Sequence, residues 1–249
     1  MTGRSTTDGA GPPTARDDAV SATLAAKVGL VLPTLHAEMA RLWTAPRVAE
    51  RYVEYLVVMH GVIRASVPLM RSARARCAEL VRPDPVTDPV ADPLADYLAR
   101  HIEEERGHDE WLRQDLAALG GDPDEPLRRL PSPTVAGLVG AQYYWIAHLH
   151  PVVLLGYVWV LEGFPPTTDF VDDLARRTGW PAAAFRTLRM HGALDVEHRR
   201  NLGGLLDRLP LTPIQRTGIE TNAMYTAGQL AALFREMSNC RPPSRRPPT

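Results

Sequence analysis

Residues 191–198 read HGALDVEH and place His191, Asp195 and His198 at spacings of four and then three. On an α-helix, residues three or four positions apart lie on one face, because each turn takes about 3.6 residues. Imidazole nitrogens and carboxylate oxygens that share a face can bind one metal ion together. The stretch therefore predicts a helix that carries one side of a metal site.

A second stretch repeats this spacing. Residues 101–108 read HIEEERGH and place His101, Glu105 and His108 at spacings of four and then three. Glu162 adds a single carboxylate at the end of the apolar stretch 137–163, where a buried charge is costly unless a positive group receives it. A Glu-x-x-His pattern and single carboxylates from other helices are typical of two-metal sites in helical bundles. The sequence therefore predicts two facing helices that hold two metal ions.

The rest of the chain also has helical character. Leu, Ala, Val, Glu and Arg dominate, no period of two is evident, and clusters of Pro and Gly separate the segments. The predicted helices span 19–43, 46–80, 91–119, 133–162, 167–178, 181–207 and 212–238. We expect an all-α, single-domain bundle of about seven helices over residues 17–240, with disordered tails at 1–16 and 241–249. The apolar helix 133–162 should be central, buried and kinked at Pro151.

Composition excludes several classes of protein. The chain has 249 residues, is 45% hydrophobic and has a formal charge of −1, so no charge excess indicates a nucleic-acid partner. Its two cysteines, Cys77 and Cys240, lie far from each other and from the His and acidic clusters, which argues against a zinc finger or a redox dithiol. We expect no leader peptide and no membrane span, since no uninterrupted apolar run reaches about 18 residues. A soluble cytoplasmic protein is the resulting expectation, and the sequence leaves a homodimer open and, for a redox enzyme of a small-molecule substrate, an external electron donor.

The motifs resemble those of the haem-oxygenase-like di-iron oxidases and oxygenases, which are iron-containing redox enzymes. The resemblance covers about residues 45–235. It rests on Glu105-x-x-His108, on Glu162 in the stretch YVWVLEG, and on His191-x-x-x-Asp195-x-x-His198, in the order of the family. It implies a fold similar to haem oxygenase and to the thiaminase-type helical proteins.

The resemblance also implies that these six residues bind two iron ions and that O₂ is a co-substrate. Members of the family oxidise amino acids or fatty acids by N-oxygenation, desaturation, C–C cleavage or ring formation, often in natural-product pathways. On this basis we expect Glu105 and Glu162 to be the bridging carboxylates. His108, His191 and His198 would be the terminal ligands.

A seventh ligand is less evident. Many relatives take a further carboxylate from an earlier helix, where Glu54 and His60 are the candidates here. Other relatives use the residue seven positions before the helical His, which is His101 in this chain. We predict His101 as the seventh ligand over Glu54 or His60.

Arg64 is a candidate substrate-binding residue. It follows His60 by one turn in an otherwise apolar stretch, and a buried guanidinium needs a carboxylate partner. One hypothesis is that Arg64 pairs with a carboxylate of the substrate. The alternative is a salt bridge to Glu104 or to another acidic residue of the protein.

Three functions compete at this point. The first is an O₂-dependent non-haem di-iron oxidase or oxygenase of a small carboxylate-bearing metabolite, either an amino acid or a fatty acid. The second is a ferritin-like bundle that binds or stores iron. The third is a metal-free, thiaminase-like helical protein, although neither cysteine lies near the site helices. His191 favours the first, because an additional nitrogen ligand suits O₂ chemistry better than iron storage.

Overall fold

The computed structural model of the chain describes residues 19–80 and 88–240. Every regular element in these residues is helical, which confirms the all-α fold class. The predicted tails at 1–16 and 241–249 lie outside the described residues. The α-helices are α1 (Val20–Thr44), α2 (Val48–Ile63), α3 (Ser66–Leu80), α4 (Ala91–Glu105), α5 (His108–Ala118), α6 (Glu125–Arg128), α7 (Pro133–His148), α8 (Leu154–Leu161), α9 (Thr168–Thr178), α10 (Arg186–Arg208) and α11 (Pro213–Asn239).

The described residues form eleven α-helices instead of the predicted seven, because three of the predicted helices are broken and the short helix α6 was not predicted. The first of these, 46–80, is interrupted between Ile63 and Ser66. Pro68 lies in the first turn of α3, where it has no N–H to donate and its ring would clash with the carbonyl of Arg64 in a continuous helix. The proline therefore explains the break, and its position in the sequence could have predicted it.

The second break separates the two halves of the HIEEERGH stretch. Helix α4 ends at Glu105, Arg106 is extended, and Gly107 has φ +85° before α5 begins at His108. A positive φ is favourable for glycine and strained for other residues. His108 therefore lies on a different helix from His101 and Glu105, which corrects the prediction that all three share one helical face.

The third break falls at the predicted kink. Helix α7 ends at His148, and Pro151 begins a short 3₁₀ turn that leads into α8. Helix α8 is buried on all sides over Leu154–Val160, as expected for a central helix. Helix α7 is instead partly exposed, since Tyr144 has 59% of its surface accessible. The prediction of a single buried helix is therefore correct only for its second half.

The longest helix, α11, forms the centre of the bundle. A capping box starts it, in which the Thr212 side chain accepts from the Gln215 backbone N–H and the Gln215 side chain accepts from the Thr212 backbone N–H. Helix α1 packs along one side of α11, and the buried helix α8 packs on another. Gly156 permits the second contact, because a Cβ there would lie 2.9 Å from the Ala223 nitrogen and would overlap the Ile219 carbonyl oxygen. This close packing holds the end of α8, and with it Glu162, in the interior.

Two helical stretches, Val20–Thr44 and Val48–Leu80, are long and apolar enough to cross a membrane by length and composition, each with a mean hydropathy of 1.3. Within the second, 56% of the apolar window is buried inside the protein. The first, with 17% of its window buried, packs along α11. Because core helices of globular proteins pass the same test, these stretches are only weak evidence for a membrane span.

Candidate metal centre

Four segments bring the predicted ligands together in the interior. Helix α4 supplies His101 and Glu105, α5 begins with His108, and Glu162 follows the last residue of α8. Helix α10 supplies the remaining three, His191, Asp195 and His198. Six of these side chains are buried and His191 is partly buried. The structure therefore places residues that are up to 97 positions apart, from His101 to His198, around one internal site.

The ligand atoms form two groups. His101, Glu105, Glu162 and His198 each offer one nitrogen or oxygen, and these atoms all lie within 4.8 Å of one another. Glu105, His108 and His191 form a second group by the same measure. Glu105 belongs to both groups. A carboxylate has two oxygens and can bind two metal ions at once, so the arrangement would suit two metal ions that both use Glu105 as a ligand.

The distances within the first group are short. His101 Nε2 lies 2.6 Å from Glu162 Oε1, and His198 Nδ1 lies 3.7 Å from the same oxygen. His198 Nδ1 is also 4.0 Å from Glu105 Oε1. Four ligand atoms from α4, α10 and the end of α8 thus converge on one small volume.

Several of these atoms have no hydrogen-bond partner among the described residues. They are His108 Nδ1, Glu162 Oε2, Asp195 Oδ1 and His198 Nδ1. His108 Nδ1 is 3.1 Å from Glu105 Oε1, but the contact does not have hydrogen-bond geometry. A buried polar atom without a partner costs about 1–3 kcal/mol. Metal ions at the two groups would satisfy the atoms of His108, Glu162 and His198, so these residues fit a metal centre.

The orientation of His191 is set by its own helix. Its Nδ1 lies 2.9 Å from the carbonyl oxygen of Thr187, one turn earlier, so Nδ1–H donates to that oxygen. The hydrogen on Nδ1 leaves the lone pair on Nε2, which is the nitrogen available to a metal. The His191 ring also meets the His108 ring edge to face, with centroids 5.1 Å apart. His108 in turn stacks on Trp111 with centroids 4.0 Å apart, and this packing limits the rotation of the His108 ring.

The carboxylates raise each other's affinity for protons. Burial raises the pKa of Asp195 to about 8, and the negative charges of Glu162 and Glu105 add to the effect. Burial lowers the pKa of His101, but the hydrogen bond and charge of Glu162, with Glu105 and Glu104, outweigh it and raise that pKa to about 9. Burial also raises the pKa of Glu105, and the nearby His108, His101 and His191 reverse this and lower it. The site thus concentrates negative charge that positive ions can neutralise.

Asp195 differs from the other predicted ligands. It is buried and lines the same cavity, yet it belongs to neither group of converging atoms. The structure thus brings six of the seven predicted ligands into the two groups. Asp195 stays a predicted ligand without this geometric support.

The structure distinguishes between the candidates for the seventh ligand. Glu54 is engaged by Arg129, whose two Nη atoms lie 2.5 and 2.6 Å from its carboxylate oxygens. His60 is fully buried with both ring nitrogens unpartnered, and it belongs to neither group of converging ligand atoms. His101 is within the first group, as described above. Of these three residues, the geometry supports His101.

Arg64 does not have the position that the sequence suggested. It is exposed at the C-terminal end of α2, directly before the break caused by Pro68, and it does not line the cavity at the metal centre. The expectation of a buried guanidinium is therefore wrong. The break explains the difference, because the apolar stretch does not continue as one buried helix through Arg64.

An apolar cavity of about 160 Å³ adjoins the ligands. His101, Glu105, Glu162, His191 and Asp195 form its polar end. Its other walls are mostly aliphatic and aromatic: Leu35, Met39, Tyr55, Met59, Val62, Ile63, Leu69, Met70, Leu154, Tyr157, Val158, Val160, Leu161, Phe164, Pro166, Leu188, Leu230 and Phe234, with Ser66 and Thr187 as the remaining polar lining residues. Such a cavity can hold an apolar molecule next to the candidate metal centre.

One residue that supports the site was not evident from the sequence. Asp115 on α5 is fully buried, and its two oxygens accept from the backbone N–H groups of Arg186 and Thr187 at 3.1 and 3.0 Å. These are the first two residues of α10, whose N–H groups have no partner within the helix. Asp115 thereby joins the helix of His108 to the helix of His191 and His198. No sequence spacing marks this contact, because the two partners are 71 and 72 positions away.

The comparisons with known structures agree with this architecture. A domain of unknown function with a haem-oxygenase-like fold from Shewanella denitrificans is similar with a TM-score of 0.63 and 16% identity, over 84% of this chain and 90% of that one. A TenA homologue from Pseudomonas syringae pv. tomato is similar with a TM-score of 0.65 and 15% identity, over 94% of this chain and 99% of that one. At these identities the likeness shows the fold, which is haem-oxygenase-like as predicted.

The family comparison is more specific than the structural likeness. A search of curated proteins finds no significant match. A family model described as iron-containing redox enzyme matches residues 75–225, a range that holds all seven predicted ligands and most of the chain. The iron in the family's description is consistent with the nitrogen and oxygen ligand atoms of the site and with its buried atoms that lack a hydrogen-bond partner. The chain belongs to the iron-containing redox enzyme family.

Proposed function

We propose that this protein is an O₂-dependent non-haem di-iron oxidase or oxygenase that acts on a small carboxylate-bearing metabolite. The observation that supports this function best is the pair of ligand groups that share Glu105 at the end of an apolar cavity. Two adjacent metal positions and an enclosed space for an organic molecule are the two requirements of such an enzyme. An external electron donor, a cytoplasmic location and a homodimer belong to the same proposal.

The ligands in this proposal are His101, Glu105, His108, Glu162, His191, Asp195 and His198. Nitrogen and oxygen donors without thiolates suit iron or manganese, and the family is an iron-containing one. Iron bound there would supply electrons and open coordination positions for the activation of O₂. Glu105 is the carboxylate that would serve both ions, because it is common to both ligand groups. Glu162 belongs to one group only, so the expectation that it also bridges stays a prediction.

The protein itself contributes the enclosure and the orientation of the ligands. The aliphatic walls of the cavity exclude water, which protects a reactive centre and strengthens electrostatic interactions near it. Thr187 holds the His191 ring with Nε2 free, and Trp111 holds the His108 ring by stacking. Together these contacts fix the ligands before a substrate arrives, so little reorganisation is needed.

The cavity also bears on the class of substrate. No Lys or Arg is among its described lining residues, which leaves the metal centre as the positive group that a substrate carboxylate could reach. The walls suit an aliphatic chain better than the polar backbone of an amino acid. Of the two expected classes, the cavity therefore favours a fatty acid or another carboxylate with an apolar body.

The two alternative functions have less support. Iron storage needs no apolar cavity beside the metal ligands, whereas this cavity is lined by five of them. The thiaminase-like alternative has the same fold, as the TenA homologue illustrates. Cys77 is buried in α3 and Cys240 ends α11, and neither lines the cavity.

The proposal can be tested by anaerobic reconstitution with ferrous iron followed by exposure to O₂. We expect about two irons per chain, as a two-metal site requires, and an absorption change whose decay accelerates with one class of substrate among fatty acids and amino acids. Iron oxidation that no substrate affects would support storage instead. Failure to bind iron at all would exclude both the oxidase and the storage function.

A further inference from the structure

Two histidines of the site, His101 on α4 and His198 on α10, are in edge-to-face contact with ring centroids 4.9 Å apart. Each ring turns one nitrogen towards the converging carboxylates. For His101 this is Nε2, at 2.6 Å from Glu162 Oε1, and for His198 it is Nδ1, at 3.7 Å from the same oxygen. The two rings therefore offer different nitrogens to the same place.

The opposite nitrogens of both rings face a single oxygen of Glu104. Glu104 Oε2 lies 3.1 Å from His101 Nδ1 and 3.6 Å from His198 Nε2. The first distance is that of a hydrogen bond, and the second is slightly longer. In the sequence, Glu104 is the middle one of three consecutive glutamates, Glu103 to Glu105. The structure places its carboxylate between two ligand rings that belong to different helices.

We propose that Glu104 is a positioning residue of the metal centre, an inference that rests on the proposed function. Its carboxylate accepts from the outer N–H of His101 and attracts the outer N–H of His198. A neutral imidazole carries one hydrogen, so a hydrogen held on the outer nitrogen leaves the lone pair on the inner nitrogen for the metal. The negative charge of Glu104 also makes the inner nitrogen a better ligand for a metal ion, an effect that carboxylates generally have when they hydrogen-bond to a metal-bound histidine.

The surroundings of Glu104 permit a clean test. Its side chain is 46% exposed at the edge of a cleft between α4 and α10, so shortening it leaves no void in the core. The floor of this cleft is formed by the buried rings of Tyr97, His101 and His198. Tyr97 stacks on His101 with centroids 5.3 Å apart and keeps packing against that ring when Glu104 is replaced. Folding should therefore survive substitutions at position 104.

The neighbouring residue Glu103 is a matched control. It has the same chemistry one position earlier on α4, but its side chain is 66% exposed and pairs with Arg106 at 2.7 Å. It touches neither ligand ring. Any effect that arises only from removing a negative charge near the site would also follow from Glu103→Ala.

The experiment measures the affinity of the metal-free protein for Co²⁺ and Fe²⁺ under anaerobic conditions, together with the visible spectrum of bound Co²⁺. We expect Glu104→Ala to weaken binding about 10- to 100-fold and to change the Co²⁺ spectrum. Glu104→Gln should lose less, because its amide oxygen can still accept from His101. Glu103→Ala should bind metal within about twofold of the wild type, as expected for a surface ion pair.

The outcomes separate this inference from the proposed function. If the wild-type chain binds metal and Glu104→Ala binds it equally well, Glu104 does not position the ligands. An equal loss in Glu103→Ala would reduce the effect to general electrostatics and would also overturn the inference. If the wild-type chain binds neither ion, the proposed metal centre itself is wrong. Circular dichroism of each variant shows whether it is folded, and Glu104→Gln decides the question should Glu104→Ala be unfolded.

Discussion

Replacing Asp115 by alanine tests how the helix that carries three ligands is held in place. Asp115 is fully buried and accepts from the backbone N–H groups of Arg186 and Thr187, at 3.1 and 3.0 Å. The substitution leaves both donors without a protein partner at the start of α10, where the bond to Thr187 is buried and the bond to Arg186 is partly buried. Each such donor costs about 1–3 kcal/mol, so we expect Asp115→Ala to lower the free energy of unfolding by about 2–5 kcal/mol.

This loss is a large part of the stability of a typical domain, which is about 5–15 kcal/mol. Asparagine keeps one acceptor oxygen, so Asp115→Asn should lose about half as much. Gln114→Ala is the matched control, because Gln114 accepts from the same Arg186, but through an exposed side-chain contact of 2.6 Å. Its loss should stay within about 0.5 kcal/mol.

The assay is equilibrium urea unfolding of the metal-free protein, followed by helical circular dichroism. A second measurement is metal affinity, which should fall for Asp115→Ala because His191 and His198 move with α10. If Asp115→Ala unfolds at the same urea concentration as Gln114→Ala, the reasoning that assigns this carboxylate to the helix start is refuted.

Three further predictions concern the metal ions, the packing and the pH. Glu105→Gln should reduce the iron content from about two per chain to below one, since Glu105 serves both ligand groups. His191→Ala should retain one iron and lose reactivity with O₂. Elemental analysis measures the iron content and stopped-flow absorption the reactivity, and two retained irons in Glu105→Gln would contradict a shared carboxylate. Gly156→Ala should lower the free energy of unfolding by about 1–3 kcal/mol, because the new Cβ would overlap the Ile219 carbonyl oxygen. An unchanged urea midpoint would instead show that α8 can move away from α11 without cost. Burial raises the pKa of Asp115 from 3.8 to about 6, although hydrogen bonds from Thr187 and Arg186 oppose it. Because the folded-state pKa of Asp115 lies above its unfolded value, its contribution to stability is full below about pH 4 and declines as pH rises through about 6. The urea midpoints at pH 5 and pH 7.5 should therefore differ more in the wild type than in Asp115→Asn. Equal differences in the two proteins would contradict the raised pKa.

The sequence alone predicted the helical class, which the structure confirms, and it singled out residues that the structure brings together at the candidate metal centre, because both depend on local periodicity. The spacings of His191, Asp195 and His198 are determined by the helical repeat, and the structure indeed places all three on α10. The breaks at Pro68 and Gly107 also have local causes, yet they were missed. In both cases the apolar and charged pattern continues through the break, although the proline and the glycine were visible.

The error about Arg64 has a different origin, as a comparison with Glu54 shows. Glu54 lies on α2 and Arg64 directly follows it, each within six positions of His60, so the local sequence does not distinguish their surroundings. Segments distant in the sequence decide their environment. Glu54 is buried against Arg129, which is 75 positions away, whereas Arg64 is exposed where α2 ends. Spacing within one helix cannot predict which side chain from a distant segment contacts a carboxylate.

The sequence by itself therefore determined that this chain is helical and which residue types could bind metal, because helix formation and side-chain chemistry are local properties. Only the tertiary structure decided that Glu105 is common to two ligand groups and that Glu104 lies behind two of the rings. It also decided that Asp115 caps α10. These contacts join separate helices, and their geometry follows from how α4, α5 and α10 pack in the bundle, which no single segment specifies.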